Sequence, residues 1–352
     1  MNISHVVTFL PANRDACALY RMTIPHFRYP KSNYYIKPDW EPHLRIPGDT
    51  EAVMVQRQVT EENLKALKGM SSRGIKIVYD LDDHLWAIPI WNPNHAYFRG
   101  ESSTLKGVLK CLEYVDAITV STPCLKEAVI DRCNPKVPVY VVRNSITFDL
   151  FDRLRPFKKD KKPVVIGWAG TATHSRDLSE VDSVLADLSY RPDVKIEFMS
   201  NSIPKKLAKL AEKGHNIVLR GFVPVHEYHV YFSNLDWDIS ISPLTQCDFN
   251  RAKSNIKLLE AGALRIPCVA SNMDELNYFL TGELSWLTAK NSNDWHEKLV
   301  KLIEDEPFRR DMGEKMYART YNDFNIDSQI DKWIRVFENT CEGRNEDIDP
   351  QS

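Results

Sequence analysis

The chain has 352 residues, 43% of them hydrophobic and 27% charged, with a formal net charge of -2. This length suits two domains with full cores, and the composition is that of a soluble globular protein. The charge balance supplies no global basic field for nucleic acid, and no run of eighteen apolar residues exists to form a transmembrane helix.

The N-terminus, MNISHVVTFLP, lacks a basic region and a cleavage site, so no signal peptide is expected. Cys17, Cys111, Cys124, Cys133, Cys247, Cys268 and Cys341 form no CxxC pair. Such an odd, scattered set fits reduced thiols in a cytoplasm better than a disulfide frame or a zinc site.

Residues 4–11 read as a first strand followed by a loop, with Arg14 and Arg21 near the strand's carboxyl edge, where ligands sit in an α/β sheet. From Tyr20 to Arg45 the chain mixes Arg21, His26, Arg28, Lys31, Lys37, His43 and Arg45 with Tyr20, Phe27, Tyr29, Tyr34, Tyr35 and Trp40; the acids there are Asp39 and Glu41. Such a stretch can stack bases or sugars and track phosphates, or it can pack as a long loop on its own rings.

AVMVQR (52–57) reads as a strand and residues 60–74 as a helix, with Thr60 as N-cap and Glu61 and Glu62 in the first turn. IKIVYDLDDHLW (75–86) reads as a buried strand running into Asp80, Asp82, Asp83 and His84. Carboxylates at a strand's carboxyl end are costly unless they bind something or cap a turn. Contact with a ligand or acceptor ranks first, capping second and a metal third; His84 also reads as a partly exposed loop histidine. Residues 88–100, with Trp91 and His95, form an aromatic loop expected to face the same cleft. Helices at 104–115 and 124–133 alternate with strands at 116–122 and 137–146, which argues a parallel sheet wrapped by helices.

The charged, proline-bearing run 148–163 reads as an interdomain linker. It divides the chain into domains at 1–155 and 156–325, followed by a C-terminal helix at 326–341. VVIGWAGTATHSRDL (164–178) restarts a strand–loop–helix unit, in which Gly167, Gly170 and Thr171 would let a phosphate or sugar approach the backbone. The loop does not match GxGxxG, and His174 and Asp177 read as capping and orienting the next helix. Further strands are expected at 194–201, 215–224 and 236–244, with a helix from 225 to 234; Gly221 to Pro224 could present main-chain groups to a base edge.

FNRAKSNIKLLEAGALRIPCVAS (249–271) then reads as a loop, a helix beginning near Lys253, and a buried strand. On that helix Lys253, Lys257 and Glu260 share one face, beside an apolar face of Ile256, Leu259 and Ala263. Lysines and free first-turn amides can hold a diphosphate, and a carboxylate can accept hydrogen bonds from ribose hydroxyls. The same spacings also make ordinary solvated pairs. ELSWLTA (283–289) reads as a short strand, three helices follow at 292–305, 306–321 and 327–340, and the tail 342–352 is expected to be disordered.

The order of DAITVST, VPVYVVRNSITFDLF, VVIGWAGTATHSRDL, RGFVP, DISISPL and FNRAKSNIKLLEAGALRIPCVAS resembles that of retaining glycosyltransferases of the GT-B fold, in the glycogen-synthase-like and sucrose-synthase-like group. The likeness runs from about Ala52 to Trp333. It implies an α/β chain with two Rossmann-like domains whose parallel sheets face across a cleft. The second domain would hold a nucleoside-diphosphate sugar, a UDP-sugar, as co-substrate, and a helix around Gln329 to Phe337 would cross back to the first. It also implies Glu260 as the ribose carboxylate, Lys253 or Lys257 on the diphosphate, Gly170, Thr171 and Ser254 beside the donor, and Phe222, Val223 and Pro224 lining the base pocket. No metal is required for such transfer.

The sequence departs from the family's pattern in three places. The first of two glutamates seven residues apart is Ala252 here, which leaves Asp248 or Asn250 for the sugar ring. The usual arginine and lysine of the first loop in the second domain are absent, which leaves Lys253, Lys257 and Arg176 for phosphate charge. Asp82 stands where a donor-contacting histidine is often found. Asp82, Asp83 and His84 are the catalytic candidates, with no firm general base.

For the acceptor, the leading expectation is a hydroxymethylated base in bacteriophage double-stranded DNA, in a host cytoplasm, gripped through Arg14, Tyr20, Arg21, Trp91 and His95. The competing expectations are a surface glycan, lipid carrier or small molecule, and a non-catalytic nucleotide-sugar binding protein.

Overall fold

A computed structural model describes residues 5–35, 46–151 and 163–348. Lys37, Asp39, Trp40, Glu41, His43 and Arg45 lie outside the described residues, as do most of the expected linker, with the 155/156 boundary, and the last four residues.

Two six-stranded sheets carry the fold, and every pairing in them is parallel. The first holds β1 (Val7–Leu10), β2 (Ser32–Tyr34), β3 (Ala52–Gln56), β4 (Lys76–Leu81), β5 (Ala117–Val120) and β6 (Val139–Val141), in the order β2-β1-β3-β4-β5-β6. The second holds β7 (Val164–Ala169), β8 (Val194–Met199), β9 (Ile217–Leu219), β10 (Ile239–Ser242), β11 (Cys268–Ser271) and β12 (Thr288–Ala289), in the order β12-β11-β10-β7-β8-β9. Helices cover both faces of such sheets, so the strands read as continuous apolar runs; β3 and β7 are buried at every position. Strand order reverses between β1 and β3 in one lobe and between β7 and β10 in the other. Ligand crevices in open α/β sheets lie beyond the carboxyl ends at such reversals.

The segment after β1 is not the expected loop. It is helical in three contiguous pieces, Ala16–Ala18, a π turn at Leu19–Thr23, and Ile24–Arg28. Asp15 caps it, accepting from Ala18 N at 3.1 Å, and Tyr20, Met22 and Ile24 are buried. Pro25 has no N–H to continue a regular ladder, and the π turn precedes it.

Other elements also differ from expectation. The strand at 215–224 keeps only Ile217–Leu219, and most of ELSWLTA is a 3-10 turn, Gly282–Leu287. Helices Lys205–Glu212 and Asp274–Phe279 had no counterpart in the sequence reading. The tail is ordered as far as it is described: Ile348 is buried, and Asn339 Nδ2 donates to Glu346 O at 2.8 Å.

Helix Ile326–Glu342 packs on the first lobe, with the Phe337 ring 5.8 Å from Phe9 and 5.4 Å from Tyr29. Helix Ile256–Ala263 lies against Glu306–Phe324 at a glycine contact. A Cβ on Gly262 would sit 2.2 Å from Thr320 Oγ1 and 3.0 Å from Met316 O. All seven cysteines are free, and among the described residues no helix is long and apolar enough to cross a membrane.

Candidate active site

The reversal between β7 and β10 is flanked by two loops, 170–177 and 243–255, and one buried carboxylate clamps them together. Asp177 Oδ1 accepts from Thr245 N at 2.9 Å and from Asn250 Nδ2 at 2.7 Å. Its Oδ2 lies 2.8 Å from His174 Nδ1. Asn250, expected on a sugar ring, is therefore buried in this clamp, and it also donates to Thr245 O at 2.9 Å. The side chain of Asp248 is 81% exposed.

The expected helix from Lys253 is really two helices, Asp248–Arg251 and Ile256–Ala263, with Lys253 and Ser254 in the break between them. The shared face therefore belongs to Lys257 and Glu260 only. Lys253 reaches the same crevice from the loop, over the Phe249 ring at 4.4 Å. Asn255, at the start of the second helix, is fully buried with neither amide atom partnered. A helix start with free amides, two lysines and an unpaired amide group suits an anion.

Lys257 Nζ donates to Ala169 O and lies 5.5 Å from the Trp168 ring centre. Burial pulls its pKa down. Gly170 follows, where a Cβ would meet the Trp168 ring at 2.5 Å; Thr171 and Arg176 are exposed. Glu260 is 7% exposed. Tyr20 Oη donates to its Oε1 and Tyr228 Oη to its Oε2 at 2.9 Å, while His229 Nε2 lies 2.8 Å from Tyr20 Oη. Tyr228 and His229 escaped the sequence reading; the signal was an aromatic, polar helix directly after Pro224. In the stretch before that helix Phe222 is 58% exposed, Pro224 is also open and Val223 is half-buried.

The first lobe presents its acids one by one, each to a different cation. Asp80 lies inside the sheet and pairs with Arg21, Nη2 to Oδ1 at 2.6 Å. Asp82 Oδ1 is 3.3 Å from Arg57 Nε, and Asp83 Oδ1 is 3.4 Å from Lys253 Nζ across the cleft. Burial raises the Asp82 pKa in spite of Arg57. Burial also pushes on Asp83, but Lys253 and Arg57 outweigh it and hold the group below the usual range. Burial likewise disfavours the charge on Lys253, which Asp83 and Asp177 more than restore. Among the described residues no group of three or more His, Cys, Asp and Glu is placed to hold a metal ion. His84 is buried, which lowers its pKa, and its Nδ1 has no partner. Arg57, not a candidate in the sequence reading, stands just past the carboxyl end of β3 with φ 44°.

The expected acceptor residues separate. Arg21 is buried, with its guanidinium taken up by Asp80, Val142 O and Asn144 Oδ1 and stacked over Trp333, so it has no open face for an acceptor. Tyr20 is buried on Glu260. Arg14 is exposed, Trp91 is 45% exposed beside exposed Ile90 and Tyr97, and His95 is half-buried with Nδ1 2.7 Å from Ile88 O. Ser254 Oγ accepts from Asn144 Nδ2 at 2.9 Å, tying the lobes together.

Residues 183–335 match a family model described as glycosyl transferase-like, which is less than half of the chain. Sucrose-phosphate synthase from Thermosynechococcus elongatus superposes with a TM-score of 0.67 at 13% identity, covering 96% of this chain and 100% of that one. HepE from Anabaena, solved with UDP and glucose, gives 0.67 at 11% identity, covering 95% and 100%. The fold is GT-B.

TarM from S. aureus also matches, with a TM-score of 0.57 at 14% identity over 81% of this chain, which spans 54% of TarM's length. No curated protein sequence matches the chain. In this GT-B chain the inter-lobe crevice and the Lys257–Glu260 pair coincide.

Proposed function

We propose that the chain is a transferase that moves a hexosyl or pentosyl group from a nucleoside-diphosphate sugar, of the UDP class, to an acceptor hydroxyl with retention. The observation that carries this reading is the placement of Lys257 and Glu260 within one turn of a helix start, at the strand-order reversal of the second lobe and facing the first. The family model spanning 183–335 and the UDP complex of HepE support the donor class.

Lys257, Lys253 and the helix-start amides would meet the charge of the leaving diphosphate, with Asn255 at hand. Glu260 would take the ribose hydroxyls once the Tyr20 hydroxyl yields its oxygen. In the transfer, the bond from the anomeric carbon to the β-phosphate oxygen breaks. A bond to the acceptor oxygen forms on the same face, and the leaving phosphate takes the acceptor proton. Asp82, Asp83 and His84 line the opposing lobe for the acceptor.

For the acceptor we retain a hydroxymethylated base in duplex DNA, with Arg14, Trp91 and His95 at the rim. One observation favours a glycan instead. Arg21 and Arg28 are both committed to internal ion pairs, while Ile90, Trp91 and Tyr97 are exposed rings and apolar surface that suit a sugar face. The test is incubation with a panel of nucleotide-sugars, offering hydroxymethylated duplex DNA and oligosaccharides as acceptors, read by mass spectrometry. Glycosylated nucleosides support the DNA reading and an extended oligosaccharide the glycan reading. Absence of both donor hydrolysis and transfer across the panel would refute the enzymatic reading.

A further inference from the structure

His174 stands at the same crevice as the two lysines, and it is built differently from a helix cap. Its side chain is 19% exposed, and its Nδ1 is held 2.8 Å from Asp177 Oδ2. Asp177 cannot swing, because Thr245 N and Asn250 Nδ2 fix its other oxygen. A carboxylate on Nδ1 assigns the tautomer: Nδ1 carries the hydrogen, and Nε2 is left to accept or to take a second proton. Charged groups act on the ring from each surrounding element. Asp177 does so from its own segment, Lys253 from the break between the two helices, and Lys257 from the helix. Asp83, across the cleft, feels the charge of His174 in turn. Burial and the two lysines favour the neutral ring, and Asp177 opposes them.

We propose that His174 is a third contact for the donor diphosphate, taking up a proton from solvent as the anion arrives, with Asp177 as its positioning residue. This rests on the donor reading above. An anion between Lys253, Lys257 and His174 reverses the balance at the ring, because it screens the lysines and adds a negative partner for Nε2–H. The imidazole then titrates lower in the free protein than in the complex. Between those two values binding takes up as much as one proton, and affinity falls up to tenfold per pH unit as pH rises. Below both values, and above both, affinity is flat with respect to this group.

The test is calorimetric titration of the full chain with UDP, ADP, GDP and CDP between pH 6 and 8.5, in buffers of different ionisation enthalpy, for wild type, H174Q and H174K. The wild type should take up more protons than H174Q, approaching one, in part of that range; the comparison cancels the nucleotide's own terminal phosphate. H174Q should bind about tenfold more weakly at pH 6 and equally at pH 8.5. H174K, with a fixed charge, should keep the low-pH affinity and lose the extra uptake. A merely structural histidine would give no such uptake and no lysine rescue.

Equal proton uptake and equal affinity in wild type and H174Q would overturn the proposal while leaving the donor reading intact. If none of the four nucleotides binds the wild type, the donor reading fails and this proposal with it. Should H174Q not fold, the His174 imidazole nitrogen resonances of the wild type, followed against pH with and without UDP, decide the matter: its titration must move upward on binding, and an unmoved titration contradicts the proposal.

Discussion

Lys257 and Glu260 are one turn apart, but donor binding asks different things of them. Lys257 is a half-buried amine that donates to the Ala169 carbonyl, so an arriving phosphate gains a charged donor already stripped of much of its water. Lys257→Ala should weaken UDP binding by one to two orders of magnitude, the roughly 1.5–3 kcal/mol of a hydrogen bond to a charged group; a titration showing unchanged affinity would remove Lys257 from the site. Glu260 is already engaged by two tyrosine hydroxyls. Tyr20→Phe frees one oxygen for ribose and should tighten UDP binding about threefold to tenfold, one ordinary hydrogen bond's worth. Weaker binding in that variant would mean that Tyr20 prepares the carboxylate rather than competing for it. The Lys257–Glu260 spacing was legible because residues three apart on a helix share a face whatever surrounds them. Lys253 was misplaced because the break at 252–255 is tertiary: Ala252 is drawn into the first lobe's core, and Thr122 Oγ1 donates to its carbonyl at 2.9 Å.

The elements read best where their ends are marked chemically. Thr60 caps its helix with a reciprocal box to Asn63, and Asp305 caps Glu306–Phe324 by accepting from Phe308 N at 3.0 Å. Lys205–Glu212 carries Leu207, Leu210 and Ala211 at helical spacing, so its period was legible in the sequence and was passed over, whereas Asp274–Phe279 is too short to show one. The glycine contact that positions the donor helix is invisible in a single sequence, since it depends on what packs opposite. Gly262→Ala would drive a methyl against Thr320 and the Met316 carbonyl, so a loss of about 1–3 kcal/mol in stability is expected. Chemical denaturation checks this, and an unchanged midpoint would show that the two helices separate without cost.

At the scale of the whole molecule the lobes are joined by contacts that run through the crevice. Lys253 meets Asp83, Ser254 meets Asn144, Tyr20 meets Glu260, and Arg143 Nε donates to Glu275 Oε1 at 2.8 Å. Burial raises the Glu275 pKa to about 7 in spite of Arg143. A carboxyl that titrates near 7 when folded and near 4.5 when unfolded binds more protons in the folded state between those values. Stability should therefore fall as pH rises through that window, by on the order of 3 kcal/mol for this one group. Melting wild type and Glu275→Gln across pH 4 to 8 tests it: the wild type should lose stability relative to the variant, and parallel curves would contradict the assignment.

Two parallel sheets were readable from the alternation of strand and helix. The closure between them was not, because it rests on pairs more than a hundred residues apart in the chain, such as Tyr20 with Glu260. The most direct test is a crystal structure of the chain with UDP bound. The diphosphate should lie at the start of Ile256–Ala263 within hydrogen-bond reach of Lys257 Nζ, with ribose hydroxyls on Glu260 in place of the Tyr20 hydroxyl. UDP found outside the crevice, with both tyrosines still on Glu260, would contradict the account.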